Sequence, residues 1–102
     1  MKYFLISDNI DTLAGLRMVG VDGVVVHEEN EVRDAIERAA ADPDVRLVLV
    51  TTRLFQSFSH MIFQYKLNMR RPLIVEMPDR HSGDDVAASM RRYIEEAVGI
   101  KI

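Results

Sequence analysis

Four short apolar runs punctuate the chain: Tyr3-Phe4-Leu5-Ile6, Val24-Val25-Val26, Leu47-Val48-Leu49-Val50 and Leu73-Ile74-Val75. Each is continuous rather than alternating, as expected of strands covered on both faces in a parallel sheet. Helix-length segments separate them. Asn9 or Asp11 can cap a first helix that stops at Gly20. Glu29 or Asn30 opens a second, Asn30 to Ala41, with Val32, Ala35, Ile36 and Ala39 on one face. It ends at Asp42-Pro43-Asp44, because Pro43 disfavours helical geometry at the residue before it. A third helix runs from Thr52 to about Asn68, and Pro72 then opens the fourth strand.

Strand–helix alternation with short connections, under the right-handed crossover rule, predicts a doubly wound α/β fold. The expected fold class is a flavodoxin/receiver-like four-stranded parallel sheet in order 2-1-3-4, with flanking helices and a C-terminal helix. A fifth strand is missing. In this order the first helix lies alone on its face, which leaves the sheet beneath strands three and four under-covered unless the last helix or a partner packs there. Residues 1–78 form the α/β body. A polar segment beginning at Pro78-Asp79 and closed by Gly83 serves as hinge to a C-terminal helical arm, so 79–102 form a second unit.

Composition narrows the function classes. A chain of 102 residues is one domain that buries roughly 65% of its unfolded surface. With no Cys, it has no disulfide framework and no thiolate chemistry. A net charge of −3, with acids and bases interleaved, argues against a nucleic-acid partner. Met1 to Ile6 leads straight into a strand, and no apolar run approaches ~18 residues. Direct membrane insertion is therefore not expected.

This scaffold hosts many activities, so each needs its own residues. A phosphorylated receiver wants an Asp ending strand three and a Lys ending strand four; here the ends read Val50-Thr51-Thr52 and Glu76-Met77-Pro78. A phosphate loop after strand one would carry Gly or Ser/Thr, but Ser7-Asp8-Asn9-Ile10-Asp11-Thr12 brings two carboxylates. Asp8 and Asp11 could hold a divalent ion or act as an acid/base pair. Their plainer reading is a turn residue and a first-turn acid. His27, His60 and His81 lack metal-ligand spacing. No catalytic, cofactor-binding or metal residue is assigned.

Two segments suggest contact surfaces. The third helix has no acid from Thr52 to Lys66, and its outer face carries Gln, Ser and His. Leu54, Phe58, Met61, Ile62 and Tyr65 form a core stripe, which Phe55 and Phe63 either extend or leave. The surface reads as an interface or as a wide buried stripe. In the last helix, about Asp84 to Val98, the residues Val86, Met90, Ile94 and Val98 make one narrow apolar row, followed by Gly99-Ile100-Lys101-Ile102. That seam can dock on a partner or on the chain's own sheet.

Several pieces resemble the F subunit of the prokaryotic V-type (archaeal-type) ATPase/ATP synthase. They are Asp8, Asp11-Thr12 and Gly15-Leu16-Arg17-Met18-Val19-Gly20-Val21 after strand one, strand three running into Thr51, Pro72-Leu73-Ile74-Val75-Glu76-Met77-Pro78, and the closing Val98-Gly99-Ile100-Lys101-Ile102. Family members carry an acid-rich third helix where this chain has Thr52-Arg53, and the loop holding Arg80-His81 also departs. The resemblance implies a non-catalytic part of the central rotor shaft, with no cofactor, that pairs with the coiled-coil D subunit. In the assembled complex it would meet the catalytic A/B head and the membrane-rotor connector, and it would be cytoplasmic and peripheral to the membrane. It also implies coupling or regulation of ATP turnover and ion transport. Partner binding then falls to Val86, Met90, Ile94 and Val98, with Ile100 just beyond them; Phe55 and Phe63 on the third helix join the partner-binding candidates on that helix's own charge pattern. Gly15, Gly20, Pro72 and Pro78 become structural positions. The alternative is a small-molecule or ion-binding regulatory module using Asp8, Asp11 and the crevice beside them.

Overall fold

The computed structural model describes residues 2–78. The proposed hinge and arm, with Val86, Met90, Ile94, Val98 and Ile100, lie outside the described residues. The elements in order are β1 (Lys2–Ser7), α1 (Ile10–Arg17), β2 (Asp22–Val25), α2 (Glu29–Ala41), β3 (Val45–Thr51), α3 (Thr52–Ser57), α4 (Ser59–Asn68) and β4 (Leu73–Met77). All strand pairs are parallel and the sheet order is β2-β1-β3-β4. The fold is therefore the α/β class expected from the apolar runs.

Register explains why those runs are continuous. Gly23, Leu5, Leu49 and Val75 line up across the sheet on the α1 face, and Val24, Ile6, Val50 and Glu76 line up on the other. Each strand thus feeds two cores. On one face Ile6, Val48, Val50 and Ile74 pack with Val32 and Ile36 of α2, Leu54 of α3 and Ile62 of α4. On the other, Leu5, Leu47, Leu49 and Met77 pack with Leu13 and Leu16 of α1. Leu47, Leu49 and Met77 are essentially inaccessible, and only Leu73, at 46%, is exposed there.

Caps set the helix limits. The Asn9 side chain accepts the Thr12 N–H at 2.8 Å, so Asn9 caps α1 and Asp11 sits in its first turn. Past the helix, the Val21 N–H reaches the Leu16 carbonyl at 3.0 Å and the Gly20 N–H reaches that of Arg17 at 3.1 Å. This Schellman arrangement needs a left-handed residue, which Gly20 supplies with φ of 91°. The second helix opens at Glu29, the earlier of the two expected positions, and is capped by Glu28. The Glu31 carboxylate folds back to accept the N–H groups of His27 and Glu28 at 2.9 and 3.0 Å. Those bonds hold its pKa below the usual carboxylate value.

The expected single third helix is two. Phe58, at φ −124° and ψ 36°, leaves helical geometry and separates α3 from α4. Its N–H still reaches the Leu54 carbonyl and its own carbonyl still accepts the Ile62 N–H, both at 3.0 Å. The break therefore leaves these backbone groups satisfied. Hydrophobic spacing crosses it unchanged, which is why the sequence pattern conceals it.

Candidate interaction surface

A doubly wound sheet places ligands where its strand order reverses. Here that point lies between the carboxyl ends of β1 and β3, at Ser7-Asp8-Asn9 and Thr51-Thr52. Their polar groups are engaged with one another. Thr51 donates its hydroxyl to Asp8 Oδ1 at 2.8 Å and accepts the Asp8 N–H at 3.3 Å. Ser7 donates to the Asn9 carbonyl at 2.8 Å and accepts the Asn9 N–H at 3.0 Å. Thr52 donates to the Met77 carbonyl at 3.2 Å, binding the start of α3 to the end of β4. Asp11 is exposed on α1. Among the described residues no group of three or more His, Asp or Glu side chains is placed to hold a metal ion. What the arrangement does is pin strand ends together.

At the opposite edge of the sheet, Lys2, Tyr3, Arg38, Asp42 and Val45 help line a cavity of about 160 Å³, well below the roughly 300 Å³ of the smaller ligand pockets. Lys2 and Asp42 form a 2.8 Å ion pair on its lining. The pair raises the Lys2 pKa and lowers that of Asp42.

The α3–α4 unit presents a different surface. Leu54 and Ile62 are buried, and Phe55, Phe58, Met61, Tyr65 and Met69 pack partly against them. Tyr65 also donates to Glu37 Oε2 at 2.7 Å, joining α4 to α2. Partial burial, then this bond to a carboxylate, pushes the phenol up to about 12. The outer side is unlike an ordinary solvated helix. Phe63 is 55% exposed and Leu67 is 64% exposed. The Lys66 ammonium stands 5.5 Å from the Phe55 ring centroid, within cation–π range.

The sequence matches known proteins over nearly all its residues. A family described as ATP synthase (F/14-kDa) subunit matches residues 4–94. The chain belongs to that family. It is similar to the F subunit of the A-type ATP synthase of Methanocaldococcus jannaschii, at 26% identity over 103 positions, covering 100% of this chain and 99% of the relative. Proteins of the same name from Thermococcus sibiricus and Pyrococcus abyssi are each 27% identical over 107 positions, covering 100% of this chain and 98% of each relative. The chain is thus an accessory component of a rotary ATPase, and it acts in a complex with other subunits. No helix among the described residues is long and apolar enough to cross a membrane.

Of the residues singled out from sequence, Phe55 is half-buried on α3 and Phe63 projects from α4. Gly15 lies within α1, Gly20 follows it, Pro72 is buried before β4 and Pro78 is exposed after it. Sequence reasoning passed over Gly23. A side chain there would put its Cβ 2.7 Å from Leu5 Cβ and closer still to the Leu5 carbonyl oxygen. A lone Gly inside a strand is the available signal for such a close approach. Leu67 was passed over too, although it follows Phe63 by one helical turn.

Proposed function

We propose that the protein is a non-catalytic part of the central rotor shaft, where it pairs with the coiled-coil D subunit and helps couple ATP turnover in the A/B head to ion movement. The observation that carries this reading is the family match over residues 4–94, which spans the α/β body and most of the arm. The mutual hydrogen bonding of Asp8 and Thr51 at the switch point supports it, since groups spent on each other are poorly placed to serve substrate. The same bonds weaken the case for the ion-binding alternative. The arm supplies the contact, with Val86, Met90, Ile94, Val98 and Ile100 meeting a seam on the coiled coil. Burial of Met90 and Ile94 in that seam contributes about 1.5–3 kcal/mol each.

Co-expression of the full chain with the D subunit tests the reading. A stable heterodimer is expected, lost in the Met90→Asp/Ile94→Asp variant while the melting point of the isolated chain changes little. If the free variant unfolds and whatever remains folded still binds the coiled coil normally, the arm is core and the contact lies elsewhere. Steady ATP turnover by the pure chain, abolished by Asp8→Asn, would overturn the non-catalytic assignment.

A further inference from the structure

From Thr51 to Val75 the chain carries no acidic residue, yet it holds Arg53, His60, Lys66, Arg70 and Arg71. In a chain of net charge −3 this is a local reversal of sign. The ion pairs found among the described residues, Lys2–Asp42, Arg17–Asp22 and Arg33–Glu29, all lie outside the segment. Arg71 donates to the Pro43 carbonyl at 3.2 Å, whereas Lys66 and Arg70 are exposed. Ile62 and Tyr65 turn α4 toward the core. By helical spacing, Phe63 and Leu67 then share the outward side, which agrees with their exposures of 55% and 64%.

We infer that this outer side of α4 docks an acidic amphipathic helix of another subunit in the rotary ATPase, a reading that rests on the shaft assignment above. Phe63 and Leu67, four residues apart, enter the apolar seam of the partner helix. Lys66 in the last turn of α4 and Arg70 just past its end pair with carboxylates flanking that seam. The apolar strip is one side chain wide and about one helical turn long, which suits one helix. A lipid surface would need a broader apolar face, because interfacial binding scales with buried apolar area, and the inner half of α4 is committed to the core. Charge complementarity selects an acidic helix and sets the encounter rate more than the final affinity.

The test places the photocrosslinker benzoyl-phenylalanine at position 63 of the full chain, assembled in the ATPase complex, and maps crosslinks by mass spectrometry. An adduct on an acid-rich helical segment of a different subunit is expected. Adducts on lipid, adducts on a second copy of this chain, or none from an assembled complex would each overturn the proposal. In parallel, Lys66→Glu/Arg70→Glu should lower recovery in the complex about tenfold, while Lys66→Gln/Arg70→Gln, which gives up the Phe55 ring contact without adding like charge, should recover part of it. The melting point of each free variant is measured alongside, and both variants should stay folded because the two positions are exposed. If Lys66→Glu/Arg70→Glu assembles normally while Met90→Asp/Ile94→Asp does not, the α4 docking falls and the shaft assignment stands. If the wild-type chain itself fails to enter a complex, the shaft assignment falls with it.

Discussion

Thr51 and Asp8 close a two-way hydrogen bond across the carboxyl ends of β3 and β1, hydroxyl to carboxylate at 2.8 Å and amide to hydroxyl at 3.3 Å. The pair sits where related architectures leave a crevice open for ligand. Here it is a clasp, and Thr51 is fully buried beneath it.

Removing the hydroxyl without changing shape measures the clasp. Thr51→Val leaves the Asp8 carboxylate and amide without this partner in a half-buried site, so unfolding free energy should fall by about 1–3 kcal/mol. Thr51→Ser should recover most of that loss. Urea denaturation reads both, and a Thr51→Val chain as stable as wild type would show the bond to be dispensable.

Gly23 tests the strand spacing. An added methyl meets the backbone of Leu5, and a main chain yields less readily than the end of a side chain. Gly23→Ala should therefore cost about 1–3 kcal/mol, as overpacking does. The loss should be accompanied by amide chemical-shift changes along β1 and β2. An unchanged midpoint of denaturation would mean that the two strands part freely.

The Tyr65–Glu37 bond makes a pH prediction. The folded phenol is raised to about 12, above its unfolded value near 10. The native state thus holds this proton more tightly, and the stability it contributes is fully present below pH 10. It is lost as pH climbs through about 12. Wild type should lose more stability than Tyr65→Phe over that window, and the two curves should run parallel below it. Parallel curves throughout would remove the phenol from the account.

The sequence made the sheet legible because β1 and β3 bury both faces, so that Leu5, Ile6, Leu49 and Val50 had to be consecutive and apolar. Strand order followed from the flavodoxin-like scheme, which strand–helix alternation and right-handed crossovers leave among few alternatives. The break at Phe58 was hidden, since Leu54, Phe58 and Ile62 keep helical spacing on either side of it and nothing as plain as Pro marks the site. Gly23, just ahead of the Val24-Val25-Val26 run, signals a close approach only once β2 is seen to begin at Asp22, and which residue of β1 stands opposite is set by register, a tertiary property. Likewise, sequence supplied Asp8 and Thr51 separately but not their bond, because the two are 43 residues apart. The missing acids of the third helix were visible at once. Which of its aromatic residues face outward was settled only by the fold, with Phe63 exposed and Phe55 half-covered.

On the proposed function, this protein contributes contact rather than chemistry to a rotary ATPase. The most direct measurement compares ATP hydrolysis and ion transport by the reconstituted complex assembled with and without it. Hydrolysis should persist in its absence while the ions moved per ATP fall, and adding back the wild-type chain should restore coupling where Met90→Asp/Ile94→Asp does not. Equal coupling with and without the chain, or ATP turnover that follows the isolated chain alone, would contradict the claim.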